Sequence, residues 1–214
     1  MPRPSRNVDQ LLLKAGHELL PVTGVRALSI RQVTERAGVN LGMFHYHFKT
    51  KDAFVRALLE SQYNEMFASL EIATHRSMSV VENLRAAVSV LANFGRDNRL
   101  LLVRLAGDAL AGEVIAVEFL RANLPRHLAV IAALLAQGQK LGRFRKMPIP
   151  QAIAFLIGGV GAPILLGAAL VNRGFAPPPL ARGLEDAVFS EDAIRERIDM
   201  ALTGLAAKKS GAIK

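Results

Sequence analysis

The sequence predicts an all-α protein, and three observations support this class. Apolar residues recur every three or four positions through most of the 214-residue chain, as they do on one face of an α-helix. The chain shows no sustained alternation of apolar and polar residues, and no Asn-Gly or Asp-Gly pair predicts a β-hairpin. Hydrophobic residues make up 51% of the chain, which is enough for a packed core and excludes general disorder.

Capping residues predict where the first two helices begin and end. Asn7 is expected to cap a first helix, which Pro21 and Gly24 are expected to end. Ser29 is expected to cap a second, short helix that stops at Gly38, because glycine adopts the left-handed conformation at little cost. The second helix is therefore predicted to lead directly into a tight turn.

The same signals predict the later helices. Asn40 is expected to cap a third helix of about two turns that runs to Phe48, and Thr50 a long fourth helix of roughly 20 residues. Prolines and glycines predict a loop over residues 173–189, and Ser190 is expected to begin the last helix. Helical periodicity also fills the region between the fourth helix and this loop.

Two short helices joined by a turn that contains Gly38 are typical of a helix-turn-helix. If the third helix enters a major groove, its N-terminal side chains meet base edges. Leu41 and Met43 can contact thymine methyl groups, His45 can donate to or accept from a base or phosphate, and Gly42 lets the backbone approach closely. This segment therefore predicts a DNA-reading helix.

Phosphate contacts are expected around the same helix. Tyr46 and His47 can donate to phosphate oxygens, and Lys51 adds a charge at the start of the fourth helix, where backbone N–H groups are unpaired. The chain has a formal net charge of +9, and the first 60 residues hold nine basic and five acidic residues. This excess favours a polyanionic partner, with nucleic acid the first candidate and an anionic membrane the second.

Several short elements agree in one register with a known family: Gly24, Leu28-Ser29-Ile30, Ala37-Gly38-Val39, Gly42-Met43-Phe44, Tyr46-His47-Phe48 and Lys49-Thr50-Lys51-Asp52. The stretch from about Leu11 to Leu59 resembles the DNA-binding domain of TetR-family transcriptional regulators. The resemblance implies a homodimer that binds a partly palindromic operator, usually as a repressor, and that a ligand of the C-terminal domain releases. The DNA-contact set that it implies is Arg31, Leu41, Gly42, Met43, His45, Tyr46, His47 and Lys51.

Three positions depart from the usual family pattern. Thr34 stands where the family usually has alanine, and its hydroxyl is expected to bond back to the carbonyl of Ile30. Leu41 and Met43 stand where polar base readers are common. An operator sequence therefore cannot be borrowed from relatives.

The domain prediction is a helix-turn-helix domain over residues 1–52 and a helical ligand-binding and dimerisation domain over residues 53–214. Polar residues among apolar helices need partners or a ligand, because an unpaired buried charge costs several kcal/mol. The candidates for a pocket are Phe94, Arg104, Phe119, Asn123 and His127. Aliphatic surroundings favour an apolar or amphipathic small molecule.

Two C-terminal segments, 152–172 and 190–206, are predicted to form the homodimer interface. Gly159, Pro163 and Gly167 recur every four residues, so two helices can approach closely there. Residues 152–171 are also an uncharged run long enough to span a membrane, although the glycines and the proline argue against it. A membrane-associated helical protein therefore stays an alternative, as does an architectural nucleic-acid binder without a ligand.

No enzyme, cofactor or metal site is predicted. The chain has no cysteine, no Gly-x-Ser-x-Gly motif and no phosphate-binding loop with its lysine. His45 and His47 are two residues apart on a helix, so their side chains face different ways and do not share a metal. With no secretory signal pattern at Met1, the expected location is the cytoplasm.

Overall fold

The computed structural model describes residues 7–74, 77–172 and 174–207, and this part of the chain is almost entirely helical, which confirms the predicted class. An isolated antiparallel bridge pairs Phe144 with Ala206. The α-helices are α1 (Val8–Ala27), α2 (Ile30–Ala37), α3 (Leu41–Phe48), α4 (Lys51–Ala73), α5 (Val80–Asp97), α6 (Arg99–Leu110), α7 (Val114–Lys140), α8 (Ile149–Leu156), α9 (Ala162–Asn172), α10 (Pro178–Leu184) and α11 (Glu191–Leu205). Single π-helical turns, Ile157–Gly161 and Glu185–Phe189, follow α8 and α10.

The chain divides into two compact units. Residues up to 65 and residues 100–123 form what we call the N-terminal unit, and residues 66–99 and 124 onward form the C-terminal unit. The divisions fall inside α4 and α7 and at the start of α6. The N-terminal unit therefore contains the helix-turn-helix and, in addition, most of α6 and the first part of α7.

The core of the N-terminal unit forms around α3 and α4. Leu12, Leu20, Phe44, Phe54 and Leu58 are almost fully buried in one apolar cluster. Burial of a large apolar side chain contributes about 1.5–3 kcal/mol. This cluster fixes the position of α3, the predicted DNA-reading helix, within the unit.

The first helix starts after Asn7 and breaks at Gly24, as predicted, but it differs from the prediction at Pro21 and in its side-chain cap. It continues through Pro21 to Ala27, because the fixed φ of proline is compatible with a helix that sacrifices one hydrogen bond. Gly24 does break the helical conformation, as predicted, with φ 75° and ψ 175°. The expected side-chain caps at Asn7 and Ser29 are wrong, since neither side chain accepts a capping hydrogen bond.

The other capping predictions are confirmed. Gly38 ends α2 in the left-handed conformation, with φ 66° and ψ 29°. Three polar side chains accept a backbone N–H from the third residue after them, at 3.0–3.2 Å: Asn40 from Met43, Thr50 from Ala53 and Ser190 from Ala193. These residues set the starts of α3, α4 and α11.

The loop predicted over residues 173–189 is wrong from Pro178 onward, and residue 173 lies outside the described residues. Pro178 to Leu184 form α10, because proline is favoured in the first turn of a helix, and a π-helical turn follows. Phe189 anchors this segment, since its side chain is only 3% exposed. Helix α10 itself has no buried residue among those described.

In the C-terminal unit, α5, α9 and α11 surround an aliphatic core. The largest fully buried side chains of this unit are Leu70, Leu84, Leu135, Ile164, Ile198 and Leu205. Helices α8 and α9 are joined by the π-helical turn into one apolar segment, Ile149–Asn172. This segment contains the first of the two predicted dimerisation regions.

Candidate nucleic-acid interface

Helix α3 has one buried and one exposed face. Phe44 is fully buried, and its ring lies 5.1 Å from that of Phe54 in an edge-to-face arrangement. On the other face, Leu41 is 51% exposed and Tyr46 is 66% exposed, and His45 beside them is exposed as well. A short helix that leaves such large side chains in solvent has a surface available for a partner.

The start of α3 is tightly ordered. The backbone N–H of Met43 donates to Asn40 Oδ1 at 3.0 Å, and the Met43 side chain packs against the core of the N-terminal unit. A Cβ on Gly42 would come within 3.2 Å of Asn40 Oδ1, so glycine leaves the cap undisturbed. Gly42 is exposed, which leaves its backbone open to close approach. Met43, in contrast, is half-buried, and the structure turns it partly toward the core.

Lys51 ties two helices together beside this surface. Its ammonium group donates to the carbonyl oxygen of Arg26 at 2.9 Å, which joins the start of α4 to the end of α1. The first-turn N–H groups of α4 lie at the same end, where a helix attracts anions. The arrangement suits a phosphate, although Lys51 already has a partner within the unit.

Tyr46 and His47 differ in accessibility. Their rings meet edge to face, with centroids 5.1 Å apart, and Tyr46 is the more exposed. His47 Nε2 is buried and has no hydrogen-bond partner among the described residues. In this conformation Nε2 is closed to a phosphate, so a phosphate contact from His47 requires its other ring nitrogen or a rotation.

Arg31 lies on α2 and pairs with Glu35 across one helical turn, at 2.9 Å. Both side chains are mostly exposed, at 87% and 62%, and such pairs contribute only about 0.3–0.5 kcal/mol. The guanidinium can therefore leave Glu35 for a phosphate at little cost. The Thr34 hydroxyl donates to the Arg31 carbonyl at 2.9 Å, so the expected bond to Ile30 is wrong.

Lys49 has a backbone conformation that the sequence did not predict. Its φ is 61°, which makes it the sole non-glycine residue with a left-handed backbone in the described part of the chain. It lies between α3 and α4, beside the proposed DNA-contact residues. A lysine carries no conformational signal of this kind, so only the structure reveals the strain.

Long-range hydrogen bonds join α6 to α1 and α7 to α4 within the N-terminal unit. Asp108 accepts the backbone N–H of Val25 at 2.7 Å, and Arg56 pairs with Glu118 at 2.5 Å. Asp108 also lies against Gly24, where an added Cβ would come within 2.8 Å of its carboxylate. The residues of each pair are at least 62 positions apart, so no local pattern could have predicted them.

The five predicted pocket residues are divided between the two units. Phe119, Asn123 and Arg104 belong to the N-terminal unit. The ring of Phe119 packs edge-on against Tyr63, and the Asn123 amide donates to the Phe119 carbonyl at 3.1 Å. The Nε atom of Arg104 is buried and has no hydrogen-bond partner among the described residues. Phe94 and His127 belong to the C-terminal unit, and burial lowers the pKa of His127 below its usual value. A shared pocket stays a prediction.

The C-terminal unit has an open groove between the end of α7 and the start of α8. Its volume is about 480 Å³, and it is lined by Ala136, Gln139, Lys140, Lys146, Met147 and Ile149. None of the predicted pocket residues lines it. Across the described ranges, no group of three His, Asp or Glu side chains is placed to hold a metal ion.

Two helical segments, Val114–Lys140 and Ile149–Asn172, are long and apolar enough to cross a membrane. Core helices of soluble proteins often meet the same criterion, so length and composition alone are weak support for a span. The sequence identifies only the second of these segments, as the uncharged run 152–171, whose glycines and proline argue against a membrane span there.

Comparison with known proteins supports the resemblance. Residues 12–58 match the family model described as bacterial regulatory proteins, tetR family. Among curated proteins, none is significantly similar to this chain in sequence. The regulators of this family are transcription factors and not enzymes, which agrees with the expectation from the sequence.

Solved structures share the fold over nearly the whole chain. A bacterial regulatory protein in the tetR family from Rhodococcus RHA1 is 17% identical, with a TM-score of 0.64 over 96% of this chain and 100% of the other. HlyIIR, a hemolysin II transcriptional regulator, is 18% identical, with a TM-score of 0.64 over 94% and 98%. A proposed fatty acid metabolism regulator of Clostridium perfringens is 14% identical, with a TM-score of 0.68 over 92% and 100%. These likenesses confirm the TetR-like fold, with an N-terminal helix-turn-helix and a C-terminal helical domain.

Proposed function

We propose that this chain is a cytoplasmic homodimeric repressor that binds a palindromic operator. The tetR-family match at residues 12–58 and the TetR-like fold support this proposal. The observation that carries the proposal is the surface of α3. Leu41, His45 and Tyr46 are exposed there, while Phe44 holds the helix against the core. Apolar Leu41 suits a thymine methyl group, and the polar tips of His45 and Tyr46 suit bases and phosphates.

A titration against DNA from upstream of the chain's own gene tests this proposal. We expect tight binding that weakens with salt, because each lysine or arginine on a phosphate adds about one unit to the slope of log K against log salt. The double variant His45→Ala, Lys51→Ala should bind far less and with a shallower slope. Unchanged binding by this variant would remove α3 as the recognition surface.

Lys51 also supports the fold, so a control is needed. Loss of its bond to the Arg26 carbonyl affects the end of α1, and its removal lowers stability as well as affinity. The single variant His45→Ala has no such effect on α1 and serves as the matched comparison. Circular dichroism should show the same helix content in both.

The proposed dimer interface lies on residues 152–172 and 190–206. Phe155, Ile157, Leu166 and Met200 are 46–64% exposed, and residues 151–172 carry no Asp, Glu, Lys or Arg. An exposed apolar patch of this kind is typical of a protein interface. A two-fold dimer presents two α3 helices, and successive major grooves require them about 34–36 Å apart.

Leu166→Lys tests the interface, with Leu141→Lys as a matched control. Both leucines are exposed, at 64% and 58%, but Leu141 lies outside the two segments. Sedimentation should show a monomer for Leu166→Lys and a dimer for Leu141→Lys and the wild type. A monomeric wild type that partitions to liposomes would contradict the dimer and favour the membrane alternative.

The proposed ligand is an apolar or amphipathic small molecule bound by residues 53–214. Support comes from the aliphatic core of the C-terminal unit and from the likeness to a proposed regulator of fatty acid metabolism. A ligand that prefers a conformation with the wrong spacing of the α3 helices weakens DNA binding by about 5–150-fold. Dodecanoate should release bound DNA and glucose 6-phosphate should not; equal effects would contradict this ligand class.

A further inference from the structure

The turn between α3 and α4 is strained at one residue. Lys49 has φ 61° and ψ −52°, and the N–H of Thr50 donates to the carbonyl of Phe48 at 2.6 Å. This three-residue hydrogen bond with positive φ defines a γ-turn of the rare, strained hand. Such strain is often found beside functional side chains.

The strained turn directs a carbonyl group at the ring of His45. Lys49 O lies 3.1 Å from His45 Nδ1, and the N–H of Lys49 donates to the His45 carbonyl at 3.2 Å. The ring also packs edge-on against Phe44, with centroids 5.7 Å apart. These contacts fix the orientation of an exposed side chain at the centre of the proposed reading surface.

The contact with Lys49 also fixes the position of the ring proton. A carbonyl oxygen can only accept a hydrogen bond, so Nδ1 must carry the proton. The neutral imidazole has a single N–H, which leaves Nε2 with a lone pair and no hydrogen. Nε2 therefore presents an acceptor, whereas a histidine without this contact can present either a donor or an acceptor.

We propose that His45 reads its base as a hydrogen-bond acceptor through Nε2, and so selects adenine or cytosine on the strand that it faces. In the major groove, adenine offers its N6 amino group and cytosine its N4 amino group, whereas guanine and thymine offer acceptors at the corresponding positions. Two acceptors do not pair, so guanine and thymine are rejected there. This inference rests on the proposed function, because it requires α3 to lie in the groove.

The tautomer can be tested without DNA. Long-range proton–nitrogen NMR correlations on the full chain at neutral pH should show the His45 proton on Nδ1. Lys49→Gly should keep that result, because glycine adopts the same positive φ and retains the carbonyl. A proton on Nε2 in the wild type would overturn the inference whatever the protein does to DNA.

Selection from randomised duplexes tests the reading itself. The wild type should prefer adenine or cytosine roughly tenfold at one position of each half-site, and His45→Ala should abolish that preference alone. His45→Lys, which has donors and no acceptor, should shift the preference to guanine. Tyr46→Phe is the matched control on the neighbouring residue and should leave the preference unchanged.

The outcomes separate this inference from the proposed function. A wild-type preference for guanine or thymine at that position, or a uniform loss of affinity in His45→Ala, would overturn the acceptor role while the regulator stands. An absence of preference at every position would overturn both. A preference for adenine or cytosine that His45→Ala removes supports both.

Discussion

The hydrogen bond between Asp108 and Val25 supplies a prediction that can be worked out from the structure. The N–H of Val25 follows the break at Gly24 and donates to a charged carboxylate oxygen at 2.7 Å. Val25 is only 2% exposed, so water cannot easily replace the carboxylate. A hydrogen bond to a charged group contributes about 1.5–3 kcal/mol, and its loss leaves a buried donor unpaired.

Asp108→Ala should therefore lower the melting temperature by about 3–12 °C, since 1 kcal/mol corresponds to about 2–4 °C in a chain of this size. Asp108→Asn keeps an uncharged acceptor and should lose roughly half as much. Glu35→Ala, which removes an exposed carboxylate from an i,i+4 pair, should shift the melting temperature by less than about 2 °C.

Thermal unfolding followed by circular dichroism measures all three variants. The expected order of melting temperatures is wild type and Glu35→Ala highest, Asp108→Asn lower and Asp108→Ala lowest. If the melting temperature of Asp108→Ala equals that of the wild type, the Asp108 carboxylate does not stabilise the end of α1. If Glu35→Ala lowers the melting temperature as much as Asp108→Ala does, the loss of stability follows from removing any carboxylate and not from removing the hydrogen bond to Val25.

Three further predictions concern single residues. Gly38→Ala should lower stability by about 1–2 kcal/mol in denaturant titrations, because φ is 66° there and alanine is strained in that conformation; an unchanged midpoint would contradict the left-handed cap. Burial lowers the pKa of His17 in the folded state, and Glu65 and Gln62 oppose this with smaller raising effects. Neutral His17 therefore contributes stability that is present above the pKa of the unfolded chain and is lost as pH falls. Between pH 7.5 and 5.5 the His17→Gln variant should lose less free energy of unfolding than the wild type, and an equal loss would refute the lowered pKa. Tyr46→Phe should weaken binding about 2–10-fold on every DNA sequence without changing the melting temperature, and unaltered affinity would show that the hydroxyl contacts no phosphate.

The local features of the fold were predictable from the sequence. Asn40, Thr50 and Ser190 cap helices because a short polar side chain can reach an unpaired N–H within one turn, and Gly38 ends α2 because of its own conformational freedom. Asn7 and Ser29 show the limit of the pattern, since a suitable residue type does not guarantee the rotamer. The prolines before Leu180 predicted a loop, but proline is also compatible with the first turn of a helix, and α10 begins there.

The candidate site was only partly predictable. Residue types and spacing identify α3 and place Leu41, His45 and Tyr46 on it, and their exposure depends only on which face Phe44 buries. The bond from Asp108 depends on chain segments that meet only after folding. The γ-turn at Lys49 is equally hidden, because the conformation is strained for lysine and is held by its surroundings.

The ratio of specific to non-specific DNA affinity tests the central claim most directly. Fluorescence anisotropy would compare a duplex recovered by selection with a scrambled duplex of the same length and composition, at one salt concentration. A dimer that inserts two α3 helices into successive major grooves should bind the selected duplex about 10³-fold or more tightly. A ratio near one would contradict the account and favour an architectural protein held by charge alone.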